Sequence, residues 1–129
     1  MPTQSKLAIG LSLLVAAVIS VLTLTPISAP PLGPISHSDK IYHALAFAGL
    51  ALPLSFFRPG WLFVTVSVYA GFGGIIEILQ PFVEREGDIA DWIADLMGIG
   101  IGVLAGRVAA RGATSVAALL RKPHLGQAQ

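Results

Sequence analysis

Residues 88–106 read DIADWIADLMGIGIGVLAG. Three aspartates open an otherwise apolar run. Asp88, Asp91, Asp95, Gly98 and Gly102 follow a 3-4-3-4 spacing, and Gly106 continues it. That spacing places all six on one face of a helix. The series Gly98-x-x-x-Gly102-x-x-x-Gly106 is a stripe of small residues that lets a second helix approach closely in lipid. The acids extend the stripe, so they point into a bundle and away from lipid. Ionisable groups inside an apolar run are expensive to keep there, which makes them the first place to look for function.

The rest of the chain fits a membrane setting. Of 129 residues 54% are hydrophobic and 12% charged, with a mean hydropathy of +0.78. Soluble domains carry about 25% charged residues. Four apolar runs are expected to span, at about 7–24, 41–57, 61–79 and 89–106. Runs of this length cover roughly 26–29 Å as helices, barely a bilayer core. The expected fold class is therefore all-α: a polytopic membrane protein built as a four-helix transmembrane bundle. Residues 1–111 form the four-span domain and 112–129 a cytoplasmic tail.

The first run follows Lys6 and has a signal peptide as its alternative reading. A retained helix is favoured, because the run is long and the only plausible cleavage region, Ile27-Ser28-Ala29, is followed by Pro30-Pro31. Orientation follows from Lys and Arg. One side holds Lys6, Arg58, Arg107, Arg111, Arg121 and Lys122; the other holds Lys40 and Arg85. Both termini are then cytoplasmic, residues 26–40 and 81–88 lie outside, and Arg58-Pro59-Gly60 is a tight inner turn. The tail reads equally as an amphipathic helix on the inner surface, ending at Arg121-Lys122, or as an extension of the fourth helix; residues 123–129 look disordered.

With this topology every acidic residue lies on or near the outer face. If Asp39 and Asp88 cap their helices, His43 lies about 6 Å in and Asp91 about 4.5 Å in, with Asp95 about 10 Å below Asp88. Glu77 lies about 4.5 Å below Gln80, at the same depth as His43 and Asp91. Glu77 and Gln80 share a face, with Gly73 and Gly74 one turn below. Asp39, His43, Ala46, Leu50 and Pro53 share another. The assembly expected is a polar pocket of Asp39, Lys40, His43, Glu77, Gln80, Arg85, Asp88, Asp91 and Asp95, floored by packing at Gly73, Gly74, Gly98, Gly102 and Gly106. Arg85 is the first candidate for the positive partner and Lys40 the second. The bland alternative is an ion-pair network that only holds the bundle together. Glu84 and Glu86 read as solvated loop charges, His37 and His124 as incidental. Trp61 and Trp92 read as interfacial anchors.

These residues resemble the VanZ-like family of small bacterial membrane proteins. Asp39-Lys40-x-x-His43-x-x-x-Phe47 is similar to the family's D-K-x-x-H-x-x-x-F, and Glu77-x-x-Gln80 to its E-x-x-Q. Arg85-x-x-Asp88-x-x-Asp91-x-x-x-Asp95-x-x-Gly98 is similar to R-x-x-D-x-x-D-x-x-x-N-x-x-G, with Asp95 standing where the family often has Asn. The resemblance covers roughly residues 39–106. It implies a multi-pass protein of the bacterial cytoplasmic membrane. It also implies a link to the cell envelope and, as a family label, to resistance against the lipid-bearing antibiotic teicoplanin.

The function expected is lipid binding without catalysis: an amphiphile held at the outer leaflet, such as a lipid-linked wall precursor or a lipoglycopeptide. The alternative is a small intramembrane enzyme, with His43 as general base and Glu77, Asp91 and Asp95 holding a divalent cation or serving as acid and base. No Ser or Cys stands in a nucleophile motif, and one well-placed His is few for zinc, so no metal and no cofactor is assigned. A proton-coupled transporter would need several copies, since four short spans make a poor transporter alone. Partners are membrane lipids or lipid-linked cell-wall molecules, with homo-oligomerisation open. A net charge of +1 and no basic stripe argue against nucleic acid, and no Gly-rich phosphate loop is present.

Overall fold

The computed structural model describes residues 3–26, 30, 33 and 38–120. Four helices carry the described chain: α1 (Thr3–Thr23), α2 (Ser38–Phe57), α3 (Leu62–Leu79) and α4 (Ile89–Leu120), with no strand among the described residues. All four are long and apolar enough to cross a membrane. The protein is an all-α polytopic bundle, as its composition requires. Expectations for residues 27–29, 31–32, 34–37 and 121–129 lie outside the described residues; they include the cleavage region, His37, His124, and Arg121 and Lys122.

Local chemistry sets the ends. Pro59 cannot donate an N–H and pushes the residue before it away from helical geometry, so α2 stops at Phe57 and Arg58 takes φ −137°. A short 3-10 turn, Pro59–Trp61, leads into α3. At the opposite end the turn Gln80–Val83 closes on Glu84, which adopts a left-handed φ of 60°. Pro53 stays inside α2, where it is buried against neighbouring helices; membrane bundles tolerate such a proline because neighbours support the freed backbone.

The main interface joins α2 and α4. A Cβ at Gly98 would collide with the Ala44 carbonyl oxygen, one at Gly102 with that of Ala48, and one at Gly106 would come 2.8 Å from that of Leu52. Contacts therefore advance together along both helices, which run parallel in close approach. This is the geometry that a stripe of small residues permits. α1 packs on α2, burying Ala8 and Ile19, and Ser12 Oγ reaches the Leu50 carbonyl at 3.4 Å. α3 leans on α4, where Trp92 Nε1 donates to the Ala70 carbonyl at 2.9 Å. Trp92 thus serves as a tie between helices.

Large apolar side chains cover the outside, among them Leu13, Val21, Leu45, Phe63, Val68, Met97 and Leu104. Soluble monomers rarely expose contiguous apolar patches above a few hundred Å²; here that surface faces acyl chains. α4 passes both 106 and 112 without a break and runs 32 residues. Thr114 and Ser115 hydroxyls bond back to the Arg111 carbonyl at 2.8 and 2.9 Å, and no proline interrupts. Such a helix is about 48 Å long, so one end must project beyond a hydrocarbon core of about 30 Å. The tail through Leu120 is an extension of the fourth helix.

Candidate functional site

At one end of the bundle the start of α2, the end of α3 and the start of α4 bring their polar residues together in two layers. The outer layer centres on Lys40. Its Nζ lies 2.8 Å from Asp88 Oδ2, 2.9 Å from Asp91 Oδ1 and 3.4 Å from Asp39 Oδ2. Lys40 occupies the place that the sequence reading gave first to Arg85. Asp39 falls inside the first turn of α2, where its charge complements the helix dipole.

Asp88 joins three helices. Its Oδ1 accepts the Ala90 N–H at 2.8 Å, capping α4 as its spacing suggests. Its own N–H donates to Glu77 Oε2 at 2.8 Å on α3, and its Oδ2 meets Lys40 on α2. Gln80 is fully buried; with its amide oriented by the surrounding acceptors, its nitrogen donates to Glu77 Oε2 at 2.9 Å and to the Glu86 carbonyl at 3.2 Å.

The inner layer is buried. His43 Nδ1 lies 2.9 Å from Asp95 Oδ1 and 4.0 Å from Glu77 Oε1, while Nε2 lies 3.9 Å from Asp91 Oδ2. Asp91 links the layers, one oxygen on Lys40 and the other toward His43. Side-chain exposure is 8% for His43, 10% for Glu77 and Asp91, and 0% for Asp95. Among the described residues nothing donates to Glu77 Oε1 or Asp95 Oδ2.

Glycines make room for this. A Cβ at Gly73 would stand 2.7 Å from Asp95 Oδ2 and 3.3 Å from the Phe47 ring, so a larger residue there must displace the Asp95 carboxylate. Gly74 meets Trp92 Nε1 at an ordinary 3.5 Å, so close approach singles out Gly73 of the pair. Gly87 is a requirement the sequence reading missed: a Cβ there would strike the Glu77 carbonyl. Its signal was a lone glycine in the short turn before the cap Asp88.

Beside the cluster, between α1 and the start of α2, lies an open cavity of about 550 Å³. Ile19, Leu22, Leu45 and Phe47 give it apolar walls, and Asp39, His43 and Arg85 form its polar end. Arg85 reaches across to α1, donating to the Leu22 and Thr25 carbonyls at 3.1 and 3.3 Å. All nine polar residues singled out from sequence lie at this end of the bundle, Arg85 on the cavity side. Compared with known proteins, the chain matches no family model, no curated protein and no solved structure.

Proposed function

We propose that the protein binds an anionic amphiphile at the outer leaflet of a bacterial cytoplasmic membrane. A lipid-linked envelope molecule or a lipoglycopeptide has the right chemistry. The observation that carries this reading is the cavity: about 550 Å³, within the range of small-molecule sites, and lined both by apolar side chains and by Arg85, Asp39 and His43. An acyl or polyprenyl chain lies against Ile19, Leu22, Leu45 and Phe47. Its phosphate or carboxylate meets Arg85, whose planar fork suits both groups. The resemblance to VanZ-like proteins rests on the three motifs alone and supports the envelope as the setting; teicoplanin resistance belongs to that label.

One observation favours the runner-up, an intramembrane enzyme. Asp95 holds His43 by Nδ1 and leaves Nε2 toward Asp91, the arrangement of a base and its orienting acid. Product analysis after incubation with the bound amphiphile separates the two readings.

The test of binding is a thermal melt of the purified protein in detergent, with a long-chain polyprenyl phosphate or teicoplanin as probe. Saturation at about 100 times Kd stabilises by about 2.7 kcal/mol, a shift of several degrees. Ala46→Phe, which fills the cavity, is expected to abolish the shift, and Arg85→Gln to weaken binding about tenfold, a loss of about 1.4 kcal/mol. No shift in the unaltered protein, or an equal shift in Ala46→Phe, contradicts the reading.

A further inference from the structure

We infer that His43, Glu77 and Asp95 form a binding site for one divalent transition-metal ion, of the class of Zn²⁺ or Mn²⁺. The inference stands apart from the amphiphile reading and uses the inner side of the cluster. One donor atom from each residue falls within 4.8 Å of the others. Donors about 2.1 Å from a shared ion stand about 3.0 Å apart in an octahedron and about 3.4 Å apart in a tetrahedron. The separations of 2.9 Å (His43 Nδ1 to Asp95 Oδ1) and 4.0 Å (His43 Nδ1 to Glu77 Oε1) lie near these values, and the third, between Glu77 and Asp95, falls within 4.8 Å.

Two carboxylates beside one imidazole would not by themselves make a site. The second observation is the pair of buried oxygens, Glu77 Oε1 and Asp95 Oδ2, that no described residue serves. Glu77 Oε1 is directed at His43 from a side chain nine-tenths buried. A carboxylate oxygen in that position demands a proton or a cation. Lys40 meets the outer layer, Asp88 and Asp91, leaving the inner acids facing one imidazole.

The surrounding contacts resemble a metal site's supporting shell. Glu77 Oε2 is fixed by the Asp88 N–H and the Gln80 amide, which leaves Oε1 as its ligating atom. Gly73 keeps the space beside Asp95 Oδ2 clear. Ligation through Nδ1 requires that nitrogen without its proton, so the ion takes the place of the His43–Asp95 hydrogen bond. The mixed imidazole and carboxylate set favours a first-row transition ion over Mg²⁺. The sequence showed only one His for a zinc site; the fold supplies two buried carboxylates to complete it.

The experiment uses the untagged full chain in detergent, stripped with EDTA and re-equilibrated with Zn²⁺ or Mn²⁺. Elemental analysis after gel filtration is expected to find one ion per chain. Glu77→Gln and Asp95→Asn are each expected to weaken binding at least tenfold, with unchanged elution and helicity. Pulsed EPR of the Mn²⁺ form of the unaltered protein needs no variant to fold, and is expected to show one imidazole nitrogen, lost in His43→Gln. Absence of stoichiometric metal, absence of nitrogen coupling, or full binding by the two folded carboxamide variants overturns the inference; the last outcome would place the ion on exposed acids such as Glu84 and Glu86.

Discussion

Gly102→Leu is expected to prevent the bundle from folding, and Gly98→Leu to do the same. At both positions the first added carbon meets a backbone carbonyl of α2, of Ala48 and Ala44 respectively. A flexible side chain can turn aside, but a helix backbone cannot, so α2 and α4 must separate along their main contact. Overpacking of an ordinary core costs about 1–3 kcal/mol, and a clash with backbone belongs at or beyond the upper end. Gly100 supplies an internal control. It sits two residues away on the same helix with nothing within 4 Å of an added Cβ. Gly100→Leu is expected to melt close to the unaltered protein. Thermal melts in detergent with size-exclusion profiles check this, and equal behaviour of Gly100→Leu and Gly102→Leu would refute the parallel α2–α4 packing.

The second large effect is on function. His43→Gln, Glu77→Gln and Asp91→Asn keep size and hydrogen-bonding groups but remove titration or charge. Each is expected to lower the associated envelope phenotype at least tenfold, and His43→Gln, at a residue lining the cavity, to lower binding of the polyprenyl phosphate probe as well. Melting should stay within about 1 kcal/mol of the unaltered protein: Glu77→Gln removes the desolvation cost of an acid whose Oε1 no described residue serves, and in Asp91→Asn Lys40 keeps Asp39 and Asp88. A functional cluster and a structural one part company here. If the three variants function normally but melt far lower, the cluster is a network that holds three helices together.

Much of this was legible in the sequence. The 3-4-3-4 series in residues 88–106 has one consequence for a helix, and it fixed which face of α4 meets α2. With Asp88 taken as a cap, the shared depth of His43, Glu77 and Asp91 followed from helical rise. What spacing could not give was the sorting of partners across helices. Lys40 and Arg85 are both cations at the same end, and only the rotation of α2 decides that Lys40 lies over Asp88 and Asp91. The His43–Asp95 contact was likewise hidden, since depth estimates put Asp95 below His43; a side chain reaching back toward the start of its helix closes that gap. The length of α4 was left open for a different reason. Apolar content ends near Gly106, but Ala-rich sequence with Arg107 and Arg111 sustains a helix in water as well as in lipid.

Binding of an envelope amphiphile requires the cluster to face outward in the membrane, where such molecules present their head groups. The chain has no cysteine, so single cysteines at Glu86 and Gly112, both exposed, report the two ends. An impermeant maleimide applied to intact cells is expected to label Glu86→Cys, beside the cluster, and to label Gly112→Cys only after the membrane is broken. The reverse pattern would put the cluster on the cytoplasmic side and contradict the account.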